Sequence, residues 1–241
     1  MEVRLLSRKE VESLQIPVTE VMDVVEKGFA LKGKDAMEMP AKIGIHPRKD
    51  CFIHAMPCYV GGGADVAGIK WVSGYPLNQA KGLPYITGVM CLNDPETGFV
   101  KVIMDANWIT AWRTGAATGV CARHMADPDS RVLAVIGLGV QGRTNAAALA
   151  AALPKVEKVK VYDNQAEQVS RFLELVKEDL KGIEILPCAT VEETVREADV
   201  VVTCTPIVND PERFVRSEWL KKDMLAVAVD YDSAFEADVM S

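Results

Sequence analysis

The spacing of apolar and polar residues divides the chain into two halves of different character. In the second half, short apolar runs rich in β-branched residues stand at Val132–Ile136, Val159–Tyr162, Ile183–Cys188, Val200–Thr205 and Met224–Val229. Continuous apolar runs of this length suit parallel strands buried on both faces. Between them lie stretches with helical spacing: Thr144–Leu153, then a segment capped by Asn164-x-x-Glu167 that runs to about Lys181 before Gly182, then a short helix capped by Thr190-x-x-Glu193. Strands alternating with helices predict an α/β fold with a doubly wound parallel sheet. In the first half, Ser7-x-x-Glu10 opens a short helix, and Val18–Leu31 carries an apolar stripe that ends at Gly33. Five strand-like runs follow, at Met39–Ile45, Cys51–Met56, Ala67–Val72, Val89–Asn93 and Phe99–Met104, separated by turn residues such as Gly61-Gly62-Gly63 and Asp94-Pro95-Glu96-Thr97-Gly98. They predict an antiparallel sheet. Ala106–Met125 has few breakers and reads as a helix linking the halves, with Gly115 and Gly119 placed for close packing against another backbone.

The junction after Val132–Ile136 holds the first candidate chemistry. Gly137, Gly139 and Gly142 stand in G-x-G-x-x-G spacing between a strand and a helix. Gly137 suits a tight turn, Gly139 lets a pyrophosphate approach the backbone, and Gly142 lets helix and strand pack closely. The helix start offers free N–H groups and the positive end of its dipole. Asp163 follows Gly142 by about 20 residues, where a carboxylate accepts the ribose hydroxyls of NAD. A carboxylate there repels a 2′-phosphate, so the expected cofactor is NAD rather than NADP.

Composition narrows the rest. The 241 residues are 49% hydrophobic and 25% charged, as in a soluble globular protein. A net charge of −7 argues against a nucleic-acid or anionic-membrane surface, and no apolar run approaches the length of a membrane span. Six scattered cysteines without a CxxC pair point to buried thiols in a reducing cytoplasm. Three histidines without ligand spacing give no metal site.

Four polar groups stand in apolar surroundings. Lys70 lies between Ile69 and Trp71, facing either a cleft or solvent. Arg113 is the one charge between Asp105 and Arg123, suited to a bidentate grip on a carboxylate or phosphate, or else a helix-surface arginine. Asp230 ends a strand where this fold places ligands, so it serves acid–base work or caps a turn. Lys42 and His54 sit in neighbouring strand-like runs; for His54 a structural role is the default.

With MPAK at 39–42, IHAMP at 53–57, GIKWVSGYP at 68–76, GLP at 82–84, LNDPETG at 92–98, MDANWITAWRTGAATGVCARHMA at 104–126, GLGVQG at 137–142 and VDYDSAFEAD at 229–238, the chain resembles the ornithine cyclodeaminase/mu-crystallin family. The resemblance implies a substrate-binding and dimerisation domain at residues 1–126 and a Rossmann-type NAD domain at 127–241, in a homodimer. It implies hydride transfer at the α-carbon of an amino acid or cyclic imine, ornithine to proline plus ammonia being the type reaction. Asp230 and Lys70 take the catalytic positions. Lys42, His54, Lys70 and Arg113 take the substrate positions. Arg113, Thr114, Gly137, Gly139, Val140, Gln141, Gly142, Asp163 and Thr205 take the cofactor positions. Lys42 replaces an arginine common in the family, and His54 replaces a glutamate of the ornithine cyclodeaminases. Tyr85 stands where those enzymes often have threonine. Family members also continue past the equivalent of Ser241, which leads us to expect a longer natural chain. An amino-acid dehydrogenase or ketimine reductase using external NAD(P)H, and a non-enzymatic cofactor- or ligand-binding protein, remain alternatives.

Overall fold

The computed structural model describes residues 2–207, 210–231 and 233–240. The chain forms two compact units, one of residues 1–17 and 24–110, the other of residues 18–23 and 111–241.

The first unit carries β1 (Arg4–Leu6), α1 (Arg8–Glu12), most of α2 (Val18–Gly33), β2 (Met37–Glu38), β3 (Ile43–Ile45), β4 (Phe52–Val60), β5 (Val66–Gly74), β6 (Ile86–Asn93) and β7 (Val100–Asp105). The sheet order is β1-β7-β6-β5-β4-β2, with β3 paired to β4. Neighbours from β2 to β7 pair antiparallel as expected, and β1 joins β7 in parallel. Two expectations need correction. The run Met39–Ile45 is not one strand: only Ile43–Ile45 of it forms a strand, β3, and Pro40, whose nitrogen cannot donate to a ladder, stands between it and β2 at Met37–Glu38. Residues Arg4–Leu6, for which no strand was expected, supply edge strand β1. The capping box is present, with Ser7 and Glu10 each accepting from the other's backbone N–H.

Residue alternation gives the sheet two faces. Across β4, β5 and β6, Ala55, Trp71 and Val89 lie opposite one another on one face; His54 opposes Val72 and Met56 opposes Lys70 on the other.

α3 (Asn107–Met125) has its first turn in the first unit and its remainder in the second. The second unit then runs β8 (Val132–Ile136), α4 (Val140–Ala152), β9 (Lys158–Tyr162), α5 (Ala166–Leu175), β10 (Glu184–Pro187), α6 (Val191–Val195), β11 (Val200–Thr203) and β12 (Leu225–Ala228). All five strands are parallel, in the order β10-β9-β8-β11-β12. That is a doubly wound sheet whose strand order reverses between β8 and β11. Both faces are apolar. Leu133, Val135, Val159, Val161, Val200 and Val202 pack with Leu149 and Phe172 on one side, and Ala134, Ile136 and Val201 with Val195, Val215 and Phe235 on the other. This double burial is why the strands read as unbroken apolar runs. α4 starts at Val140, one turn before the expected Thr144, and α5 ends at Leu175 rather than near Lys181. Among the described residues, no helix is long and apolar enough to cross a membrane.

Candidate active site

In the second unit the glycine loop sits at the reversal point of the sheet. Gly137 has φ +85°, a conformation that favours glycine, and a Cβ there would come within 2.7 Å of the Cys204 carbonyl oxygen. A Cβ on Gly142 would come within 2.1 Å of the Gly137 carbonyl oxygen, so α4 packs on the turn only because that side chain is missing. Gly139 is different: it is exposed, and nothing lies within 4 Å of its would-be Cβ. That is the open backbone a pyrophosphate needs. Val140 and Gln141 form the first turn of α4, and their N–H groups have no partner within that helix. Asp163, just past β9, accepts from Leu138 N–H at 2.8 Å through one oxygen and from Gln165 N–H at 2.9 Å through the other. The carboxylate is therefore oriented beside the loop, and lone pairs remain for further donors. Open loop, helix N-terminus and fixed carboxylate fit a dinucleotide.

Asp230 lies two residues beyond β12 and is 1% exposed. Its Oδ1 accepts from the Thr203 hydroxyl at 2.7 Å. Its Oδ2 accepts from Thr205 N–H at 2.9 Å and from the Thr205 hydroxyl at 2.6 Å. The carboxylate thus ties the end of β12 to the end of β11, against whose Cys204–Thr205 backbone Gly137 packs. Thr205 is partly exposed and Thr203 fully buried. Burial and the Asp230 charge push the Cys204 thiol well above its ordinary pKa.

Arg113 and Thr114 stand on α3 immediately before Gly115. A Cβ on Gly115 would meet the Thr144 carbonyl oxygen at 2.4 Å, and one on Gly119 the Ala148 carbonyl oxygen at 2.9 Å. α3 therefore crosses α4 backbone to backbone. Arg113 is exposed by area, yet burial of its guanidinium lowers its pKa, with Tyr231 raising it in part. The guanidinium stays charged in either case.

In the first unit, Lys42, His54 and Lys70 come together with His46, which sequence reasoning missed. Lys70 is buried, at 8% exposed, on the sheet face that also carries His54. Gly44 pairs with His54 across β3 and β4, and a Cβ there would lie 2.2 Å from the imidazole, so the ring occupies room that glycine leaves. Phe52 stacks on His54 at 4.3 Å, and His46 meets it edge-on at 6.0 Å. Burial holds the His54 pKa below its ordinary value, and Lys42, His46 and Lys70 push it the same way. The alternation 42, 44, 46 around a glycine facing His54 was the available signal for His46. For Thr203 it was adjacency to an acidic strand end. A hollow of about 480 Å³ bordered by Tyr59, Asp65, Ala67, Pro95 and Glu96 contains none of these residues.

The model of the ornithine cyclodeaminase/mu-crystallin family matches residues 1–238. The chain belongs to that family. Among its relatives, nodulation efficiency protein NfeD of Rhizobium meliloti is 37% identical over 94% of this chain and 69% of its own length. An alanine dehydrogenase of Archaeoglobus fulgidus is 34% identical over 99% of this chain and 71% of its own. Matches to ornithine cyclodeaminases are shorter: that of Brucella abortus is 32% identical over 65% of this chain and 42% of its own. Among solved structures, Thermococcus litoralis Δ1-pyrroline-2-carboxylate reductase in complex with NADH and L-proline superposes with a TM-score of 0.89 at 31% identity. It covers 98% of this chain and 73% of that one.

Proposed function

We propose that this member of the ornithine cyclodeaminase/mu-crystallin family is an NAD-dependent oxidoreductase. It moves a hydride to or from the α-carbon of an amino acid or its imine, with a cofactor that exchanges with solution. The observation that carries the reading is the second unit's loop: an open Gly139 at the sheet's reversal point, the N-terminus of α4 above it and an oriented Asp163 beside it. When bound, NAD supplies the hydride acceptor, and NADH the donor, at its nicotinamide. Gly139, Val140 and Gln141 hold the phosphates, with Thr114 and Thr205 among the cofactor-contacting residues, and Asp163 holds the ribose. Lys70 and Lys42 bind the substrate carboxylate, a charge-assisted contact, and Arg113 serves as a substrate- and cofactor-binding residue of the second unit. As the α-carbon loses its hydrogen with both electrons, the amine must shed a proton. Asp230 takes it, through the partly exposed Thr205 hydroxyl that donates to it.

Two observations favour a dehydrogenase or reductase over ornithine cyclisation. The match to the alanine dehydrogenase spans this whole chain, whereas those to ornithine cyclodeaminases are partial. Among the described residues, the charged groups that act on His54 are Lys42, His46 and Lys70, a poor setting for the distal ammonium of ornithine. Absorbance at the reduced-nicotinamide band tests this. With NAD and a panel of α-amino acids we expect net NADH formation. Ammonia release from ornithine with no net change in the band would establish the cyclodeaminase reaction instead.

The protein acts as a homodimer through the first unit's sheet. The face with Ile43, Trp71 and Val89 supports this, since those side chains are 71%, 48% and 41% exposed. Light scattering that reports a monomer at micromolar concentration would rule it out.

A further inference from the structure

We propose that Tyr231 is a positioning residue of the cofactor site: its phenol oxygen holds the Arg113 guanidinium beside the phosphate-binding turn of α4. The inference rests on the reading of Arg113 as a cofactor-binding residue and goes beyond it by naming what fixes that side chain.

Tyr231 stands in a backbone conformation that suits it badly. Its φ is +61°, in the left-handed region, where a Cβ crowds the carbonyl oxygen. Six other described non-glycine residues share that region: Gln15, Asp35, Asp50, Asp65, Glu197 and Asp223. Four of those are aspartates, whose short side chains tolerate it, and none of the six is aromatic. A glycine, asparagine or aspartate would make this turn with less strain, so the turn alone does not call for a tyrosine. The surroundings hold the backbone there. Asp230 before it is buried with three hydrogen bonds, and Ser233, Ala234 and Phe235 after it are buried. The Phe214 and Val215 N–H groups both donate to the Ala234 carbonyl, each at 2.9 Å. Between these anchors Tyr231 is 57% exposed. A bulky residue that is strained and clamped, yet open to solvent, marks a functional position rather than a packed one.

Its place in the second unit says which function. Tyr231 follows directly on Asp230, which holds the Thr205 N–H, and the Cys204–Thr205 backbone is the surface on which Gly137 packs. Arg113 is carried to the same region by α3. It precedes Gly115 by two residues, and there α3 meets Thr144 of α4 backbone to backbone. Its neighbour Trp112 has the Arg143 guanidinium of α4 over its ring at 5.7 Å. Arg113 and Tyr231 therefore stand on segments that flank the start of α4, where Gly139, Val140 and Gln141 lie. They also act on each other. Burial lowers the Arg113 pKa and Tyr231 raises it in part, the sign expected of an acceptor facing a cation. A guanidinium has five donors and no acceptor, and a phenol oxygen accepts. Arginine is long and rotamer-rich, so an acceptor that fixes it beforehand lowers the ordering cost of a phosphate contact.

A double-mutant cycle on NADH binding, followed by calorimetry, tests this. Tyr231→Phe keeps the ring and removes the oxygen; it should weaken NADH about three- to tenfold. Arg113→Gln should weaken it about tenfold or more. In the Arg113→Gln background, Tyr231→Phe should change NADH affinity by less than about twofold. Tyr231→Gly should also weaken NADH while leaving the melting temperature unchanged or raised, because glycine adopts this φ without strain. Equal losses from Tyr231→Phe in both backgrounds, or an NADH affinity that it leaves unaltered, would overturn the proposal. A lowered melting temperature in Tyr231→Gly would also overturn it, since the ring would then be a packing group. Failure of the unaltered chain to bind NADH would bring down the oxidoreductase reading as well.

Discussion

Replacing Asp230 by asparagine separates two roles for a carboxylate that is both buried and fully hydrogen-bonded. Oδ2 accepts two donors from Thr205 and Oδ1 accepts the Thr203 hydroxyl. Asparagine can keep its oxygen towards Thr205, because an NH2 group there would face a backbone N–H. Its nitrogen then faces Thr203, whose hydroxyl must turn to accept and leaves its own proton unpaired in a site with no exposure. One unsatisfied buried hydroxyl costs about 1–3 kcal/mol, and making two charge-assisted bonds neutral costs roughly 1 kcal/mol more. The expected loss of about 2–4 kcal/mol lowers the melting temperature by roughly 4–16 °C in a chain of this size. Turnover should fall by about a hundredfold or more, since the amide cannot accept the amine proton. NADH affinity, measured by calorimetry on the folded variant, should stay nearly the same. Loss of NADH binding with turnover per bound cofactor preserved would refute the proton role. Asp230 would then be a tie that keeps Thr205 in place under the glycine turn. An unchanged melting temperature would refute the hydrogen-bond argument itself. Asp232, an aspartate two residues further along the sequence and the natural control, lies outside the described residues.

Asp163 should make the chain prefer NADH over NADPH. Like charges near 4 Å repel by about 1 kcal/mol in water and about 4 kcal/mol near a protein surface, so calorimetry should show at least a several-fold difference; Asp163→Ser should shrink it. Gly142→Ala pushes a methyl group onto the Gly137 carbonyl oxygen, a backbone atom, and should cost about 1–3 kcal/mol in urea unfolding and weaken NADH binding. His54 gives a pH signature. Its pKa is lowered in the folded chain, so below the ordinary imidazole value of about 6.5 the unfolded chain takes up the proton first. Stability is therefore intact above that pH and declines as pH falls towards the lowered value. His54→Gln should flatten that part of the unfolding profile, and an unaltered slope would contradict the assignment.

The parallel sheet was legible because its central strands β8 and β11 are buried on both faces, and the glycine loop because three residues do three different steric jobs. Gly115 and Gly119 pointed to close packing against another backbone, and that backbone is α4. What stayed hidden depends on partners distant in sequence. β1 is three residues long and exists only through parallel pairing with β7, so its own pattern carries no signal. The shortening of Met39–Ile45 to Ile43–Ile45 follows from Pro40, a residue visible in the sequence but outweighed there by its apolar neighbours. Thr203 and Thr205 hold Asp230 across 27 and 25 residues respectively, and only the adjacency of β11 and β12 brings them together. Lys70 could face a cleft or solvent on alternation alone; its burial follows from which face of β5 the even-numbered residues occupy.

In the proposed reaction a hydrogen leaves the α-carbon with its electrons and is taken up by the cofactor. An amino acid that the chain oxidises, deuterated at the α-carbon, is incubated with NAD and the chain, and the reduced cofactor is recovered for mass spectrometry. NADH one mass unit heavier than that from the unlabelled amino acid is expected, with turnover slowed where hydride transfer limits the rate. Unlabelled NADH, or no NADH from any α-amino acid in the panel, would contradict it.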